Sequence, residues 1–233
     1  MRCTHCSRSV WPIVAFDIDG TLGDYHGHFR AFAEQYLQRG LPWIYPYNPE
    51  TPSLVPVTSW SSDQEFSDYL GIEKEEYRRI KLAYRQGGLK RSMPVYHDMV
   101  RVVQESHALG YEIWLTTTRP WQSHNNIHPD TKFWLERANL DGIYHHMLFD
   151  EDKYQILANA VDPGRVLAVV DDLPEQWDAA VVAFGYDVPL LKATTYNKWF
   201  SSNHLKANAC NAAMLSAQLY LRSQEWHKTH ALV

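Results

Sequence analysis

Trp11-Pro12-Ile13-Val14-Ala15-Phe16-Asp17-Ile18-Asp19-Gly20-Thr21-Leu22 is the stretch whose reading decides the fold. Trp11 to Phe16 is a short apolar run, which reads as a buried strand. It ends on two carboxylates, Asp17 and Asp19, spaced i, i+2. Burying paired like charges is costly without a partner. A divalent cation offsets that cost and lowers the effective pKa of both acids. Gly20 and Thr21 then permit a tight turn. An isolated Asp-x-Asp is equally well explained as a solvated strand end, so the weight falls on what the rest of the chain adds.

Downstream the pattern breaks and then becomes regular. His26 to Gln38 reads as a helix, with Phe29, Phe32, Ala33 and Tyr36 at helical spacing. Leu41 to Pro56 holds five prolines and reads as an irregular loop. Two more helices are expected at Asp63 to Leu70 and Glu73 to Tyr84, the last stopped by Gly87-Gly88. From Val95 onward helices and strands alternate. Helices are expected over 95–109, 129–138, 153–160 and 175–184, and strands over 111–115, 144–149, 165–170 and 187–191. A last helix is expected over about 205–226. Strands alternating with helices imply a doubly wound α/β domain around a parallel sheet. Ligands on such sheets sit beyond the carboxyl ends of the strands. The expected organisation is an N-terminal arm (1–10), a core (11–24 and 93–233) and a helical insertion after the first strand (25–92).

Three further polar groups fall at strand ends. Thr116-Thr117-Thr118-Arg119 follows the second strand, where hydroxyls can donate to phosphoryl oxygens. Lys153 opens a helix after Asp150-Glu151-Asp152 and is placed to pair with a carboxylate and a phosphate; a surface lysine balancing local acids is the plainer reading. Asp171-Asp172 closes the most apolar strand, and such a pair is a common source of oxygen ligands for Mg²⁺.

These four elements, in this order, resemble the motifs of the haloacid-dehalogenase superfamily of phosphohydrolases. Asp17-Ile18-Asp19-Gly20-Thr21-Leu22 looks like its first motif. Thr116-Thr117-Thr118-Arg119-Pro120 is similar to its second, with the motif hydroxyl on Thr117 or on Thr116. Lys153 looks like the third, and Asp171-Asp172 the fourth. The resemblance spans about residues 11–191. It implies a Rossmann-like fold and a Mg²⁺-dependent phosphomonoesterase. Asp17 is then the nucleophile that forms an aspartyl-phosphate, and Asp19 the general acid and base. Thr117 and Lys153 hold the phosphoryl oxygens. Mg²⁺ is expected on Asp17, the Asp19 main-chain carbonyl, Asp171 and Asp172.

An insertion at 25–92 resembles that superfamily's small helical cap. Arg85, Gln86, Lys90 and Arg91 are its candidate substrate contacts, together with Thr116, Thr118 and Arg119 on the core. Trp43, Tyr45 and Trp60 are candidates to stack a base, although aromatics also build cap cores. The branch it looks most like is the 5'(3')-deoxyribonucleotidases, which makes a nucleoside 5'-monophosphate the expected substrate. The alternatives are a 3'-phosphatase acting on nucleic-acid ends and a non-catalytic binding module.

Composition bounds these readings. The formal charge is -5, so no global basic field exists to hold a long nucleic acid. No apolar run reaches the ~18 residues that span a bilayer, and the cationic start has no apolar core behind it; the expectation is a cytoplasmic chain without a membrane partner. The three cysteines, Cys3, Cys6 and Cys210, argue against a disulfide framework. Cys3-Thr4-His5-Cys6 has the spacing of half a zinc site. The remaining ligands would have to come from His124, His128, His145 or His146; the plainer reading is an arm before the first strand.

Overall fold

The computed structural model describes residues 11–41, 71–194, 197 and 209–230. The cysteine pair at Cys3 and Cys6, the proline-rich loop, the helix expected at Asp63 to Leu70 and the aromatics Trp43, Tyr45 and Trp60 lie outside the described residues.

Five strands form one sheet: β1 (Ile13–Asp17), β2 (Glu112–Thr117), β3 (His146–Phe149), β4 (Val166–Asp171) and β5 (Pro189–Leu191). Their order is β3-β2-β1-β4-β5, and every pairing is parallel. β1 is therefore central, and each of its five residues is buried. Its side chains alternate between two cores, as a strand period of two requires. Val14 and Phe16 enter the core built with α3 (His97–Ala108), α4 (Ile127–Arg137) and α7 (Ala212–His230). Ile13 and Ala15 enter the core built with α5 (Lys153–Ala160) and α6 (Pro174–Phe184). That two-sided burial explains why β1 and β4 read as unbroken apolar runs. This is the Rossmann-like α/β class expected from the sequence.

The chain runs from β1 outward to β2 and β3, then crosses back to place β4 on the other side of β1. Strand order thus reverses between β1 and β4, and their carboxyl ends flank the crevice where such sheets bind ligands.

Between β1 and α3 lie α1 (Tyr25–Leu37) and α2 (Lys74–Gln86). They share a hydrophobic cluster of their own, in which Phe29 meets Tyr77 and Tyr84 edge to face at 5.6 and 5.4 Å. The chain leaves and re-enters the core side by side. The Asp24 N–H donates to Pro94 O, and the Tyr96 N–H to Leu22 O, each at 2.9 Å. Gly23 makes this close approach feasible, because a Cβ there would fall 2.3 Å from Met93 Cε.

The element boundaries differ from the sequence reading in instructive ways. α4 begins at Ile127, ahead of Pro129, because proline is tolerated in a first helical turn where its N–H is not needed. Val95 pairs with Gly23 and does not open α3. A 3-10 turn, Leu89–Ser92, follows Gly88 (φ +69°). β3 and β5 start two residues later than expected, at His146 and Pro189.

Candidate active site

Asp17 ends β1, and three later strand ends bring their polar residues to it. Lys153, the first residue of α5, donates to Asp17 Oδ1 at 2.5 Å and to Asp171 Oδ2 at 2.7 Å. Tyr154 donates to the same Asp171 oxygen at 2.5 Å. The Leu173 N–H donates to Asp171 Oδ1, and Thr21 donates to Asp172 Oδ1 at 2.8 Å. Gly20 (φ +90°) turns the chain here; a Cβ on it would lie 2.2 Å from Asp172 Oδ2. Only glycine accommodates both that φ and that neighbour.

Asp17, Asp171 and Asp172 each bring a carboxylate oxygen within 4.8 Å of the other two, and all three are buried. Burial pushes the Asp17 carboxyl well above the usual carboxylate range; Lys153 opposes this, while Asp171 and Asp172 add to it. Burial also disfavours the Lys153 charge, but Asp17 and Asp171 outweigh it and keep the ammonium charged. Two lysines, Lys153 and the nearby Lys192, against three carboxylates still leave net negative charge. A hard divalent cation fits this all-oxygen donor set, and Mg²⁺ is such an ion.

Asp19 faces differently. Arg119 grips both of its carboxylate oxygens, at 2.9 and 2.6 Å, and Lys90 adds a contact at 2.5 Å. Burial alone would raise this carboxyl, but Arg119 and then Lys90 overcome it and hold Asp19 far below its ordinary range. Arg119 is itself braced, donating to Thr131 Oγ1 at 2.7 Å. Lys90 lies over the Tyr25 ring at 3.7 Å.

A cavity of about 270 Å³ opens over these groups, and Asp17, Asp19, Lys90, Arg119 and Lys153 line it. Arg85 and Thr118 line it too. Thr117 is buried beside it, its Oγ1 accepting the Arg119 N–H at 3.3 Å. Thr116 turns its hydroxyl towards Phe16 O. Gln86 is exposed and outside the lining, and Arg91 lies against Asp130 and the Phe133 ring instead. The sequence reading overlooked Tyr154 and two cavity residues of α2, Tyr77 and Lys81. It also overlooked Lys192, which donates to Gly20 O at 2.6 Å from just past β5. Lys192 obeys the same strand-end rule that found the others, so that signal was present.

A larger groove, about 1260 Å³, lies at the opposite, amino-terminal ends of the strands, between Trp11, His107, Glu112, His145, Arg165 and Trp226. It gathers no cluster of carboxylates among the described residues. His145 Nδ1 accepts the Ile113 N–H at 2.9 Å, so its Nε2 carries the proton in the neutral ring. That tautomer has no free lone pair for zinc. His146 stacks on Trp114 and faces Glu112 at 3.3 Å.

His26 lines the same cavity as Asp17 and Asp19 and provides a pH test. Burial pushes its imidazole down to about 4, against the pull of Asp24 and Asp19. The ordinary value is about 6.5. Between those values the unfolded chain takes up the proton and the folded chain does not. The contribution of His26 to stability is therefore complete above about pH 6.5 and falls as pH drops towards 4, by up to about 3 kcal/mol. In denaturant titrations from pH 7 to 4, His26→Gln is expected to lose less stability than wild type by that amount. Parallel curves would remove His26 from this role.

No family model and no curated protein sequence matches the chain. Solved structures do. A candidate phosphoglycolate phosphatase from Lactobacillus plantarum superposes with a TM-score of 0.55 at 13% identity, covering 90% of this chain and 100% of that one. A candidate β-phosphoglucomutase from Thermotoga maritima gives 0.54 at 16% identity, covering 90% and 99%. A haloacid-dehalogenase-type hydrolase of family IA, variant 3, from Entamoeba histolytica gives 0.52 at 13% identity, again covering 90% and 99%. With a parallel sheet ordered about a central β1 and a helical insertion behind that strand, this chain has the fold of the haloacid-dehalogenase-type hydrolases.

Proposed function

We propose that the chain is a phosphomonoesterase that works through Asp17 and a bound Mg²⁺, with a nucleoside 5'-monophosphate as its substrate. The observation that carries this reading is the convergence of Asp17, Lys153, Asp171 and Asp172 in one buried cluster beneath an open cavity.

The Asp17 carboxylate attacks phosphorus, the ester P–O bond breaks, and the leaving oxygen takes a proton from Asp19. Water then attacks the aspartyl-phosphate, gives its proton to Asp19, and releases phosphate and free Asp17. Lys153 holds Asp17 in line and stabilises charge gathering on the phosphoryl oxygens. Thr118, the member of the Thr cluster that lines the cavity, is placed to donate its hydroxyl to a phosphoryl oxygen. Asp17, Asp171 and Asp172, with the Asp19 carbonyl, would hold Mg²⁺. Bound there, the ion neutralises charge on the phosphate and aligns it.

Asp19 is held as a carboxylate by Arg119 and Lys90. That is the form needed for the second half of the reaction. For the first half it must carry a proton. An entering phosphate dianion competes for the same two cations, and drawing them off Asp19 returns its carboxyl towards the ordinary range.

The test is a phosphate-release screen over p-nitrophenyl phosphate, nucleoside monophosphates, sugar phosphates and a 3'-phosphorylated oligonucleotide. Turnover is expected with Mg²⁺, and a fall of at least about 100-fold after chelation. Ca²⁺ is expected to inhibit, because its longer bonds and higher ligand number let Asp17 bind through both oxygens. Undiminished activity after exhaustive chelation would refute the metal. Release confined to the oligonucleotide would redirect the substrate to nucleic-acid ends.

A further inference from the structure

Asp17 and Asp19 are served by Lys153, Lys90 and Arg119, but α2 brings two further cations to the same cavity. Lys81 and Arg85 are spaced i, i+4, so their heads lie one above the other on one face of the helix. Tyr77, one turn earlier, continues that face into the cavity wall. Lys90 approaches from the turn that follows α2. Its ammonium already contacts Asp19 at 2.5 Å. The remaining carboxylates of the lining, Glu151 and Glu175, come from the segments that open α5 and α6. The α2 side is therefore the positive side of the cavity. Like charges gathered in a partly enclosed space favour an entering anion. One phosphoryl group held at Asp17 and Lys153 does not use this wall.

We infer that the ester taken by this site carries a second phosphate on its leaving portion, and that Lys81 and Arg85 bind it. This deepens the phosphatase reading and rests on it, and it replaces the nucleoside 5'-monophosphate as substrate by an ester with a second anion. Arg85 suits a planar, two-point contact to such a group, and Lys81 supplies a point charge beside it. Such esters are bisphosphates, and either a nucleoside or a sugar bisphosphate supplies the chemistry.

The experiment uses matched pairs that differ only in the second phosphate: adenosine 3',5'-bisphosphate against adenosine 5'-monophosphate, and ribulose 1,5-bisphosphate against ribulose 5-phosphate. For the full chain with Mg²⁺, kcat/KM is expected to be at least about tenfold higher for the bisphosphate of one pair. The pair that responds identifies the source. In Lys81→Met/Arg85→Met that ratio is expected to collapse towards one, and in Arg85→Lys to survive in part. The same preference is read without turnover by titrating each compound into folded Asp17→Asn protein by calorimetry. There the bisphosphate is expected to bind about tenfold tighter, and the double substitution to erase the difference. If monoesters are turned over but both ratios stay near one, this inference fails alone. If nothing is turned over, the phosphatase reading fails, and the titration still decides whether α2 binds the second anion.

Discussion

Replacing Asp17 by asparagine is expected to abolish phosphate release, a loss of at least about 10⁴-fold, in a protein that remains folded. The amide has the size of the carboxylate but cannot form the acyl-phosphate. The fold should tolerate the change because the removed charge stands among its own kind. Asp17 shares its space with Asp171 and Asp172, and Lys153 keeps its contact to Asp171. Phosphate release and thermal melting, measured on one preparation, separate the two effects. Turnover at the wild-type rate by folded Asp17→Asn would end the case for Asp17 as nucleophile.

Replacing Lys153 by methionine is expected to act on stability as much as on activity. Its ammonium is the direct counter-charge to Asp17 and Asp171 and is itself 1% exposed. Removing one partner from a buried ion pair leaves the other charge uncompensated, which costs about 3–5 kcal/mol. Denaturant titration in the presence of a chelator reads this loss. Millimolar Mg²⁺ should then narrow the gap to wild type, since a cation bound only by the folded state stabilises it by mass action. Coincident curves for the two proteins in chelator would show that the ammonium is not the counter-charge.

The residues legible in the sequence were those at the ends of buried strands. Asp17, Asp171 and Asp172 each follow an apolar run long enough to fix its direction, and Lys153 follows a turn that opens a helix. Position alone carries chemistry in a parallel sheet, because all carboxyl ends face one way. What was not legible depends on contacts across the chain. Asp19 is gripped by Lys90 and Arg119, 71 and 100 residues away, and no local pattern announces such pairs. Helix phase decided another point. Gln86 is next to Arg85 in sequence, but one residue turns the side chain about 100° around the axis, and Gln86 faces solvent while Arg85 meets the cavity. Within Thr116-Thr117-Thr118, strand alternation separates hydroxyls that sequence treats alike, and only Thr118 reaches the lining.

The paired crossings at Leu22–Asp24 and Pro94–Tyr96 have a consequence for how such a scaffold diversifies. The chain departs and returns through one hydrogen-bonded gate, so the register of the strands does not depend on the length of what lies between. Closing a longer excursion costs only logarithmically more chain entropy. Much of the intervening segment can therefore change while Asp17, Asp171 and Asp172 stay seated on their strands; Lys90, which grips Asp19, is the part that cannot be exchanged freely. Changes beyond the gate reach the cavity wall before they reach the strand ends.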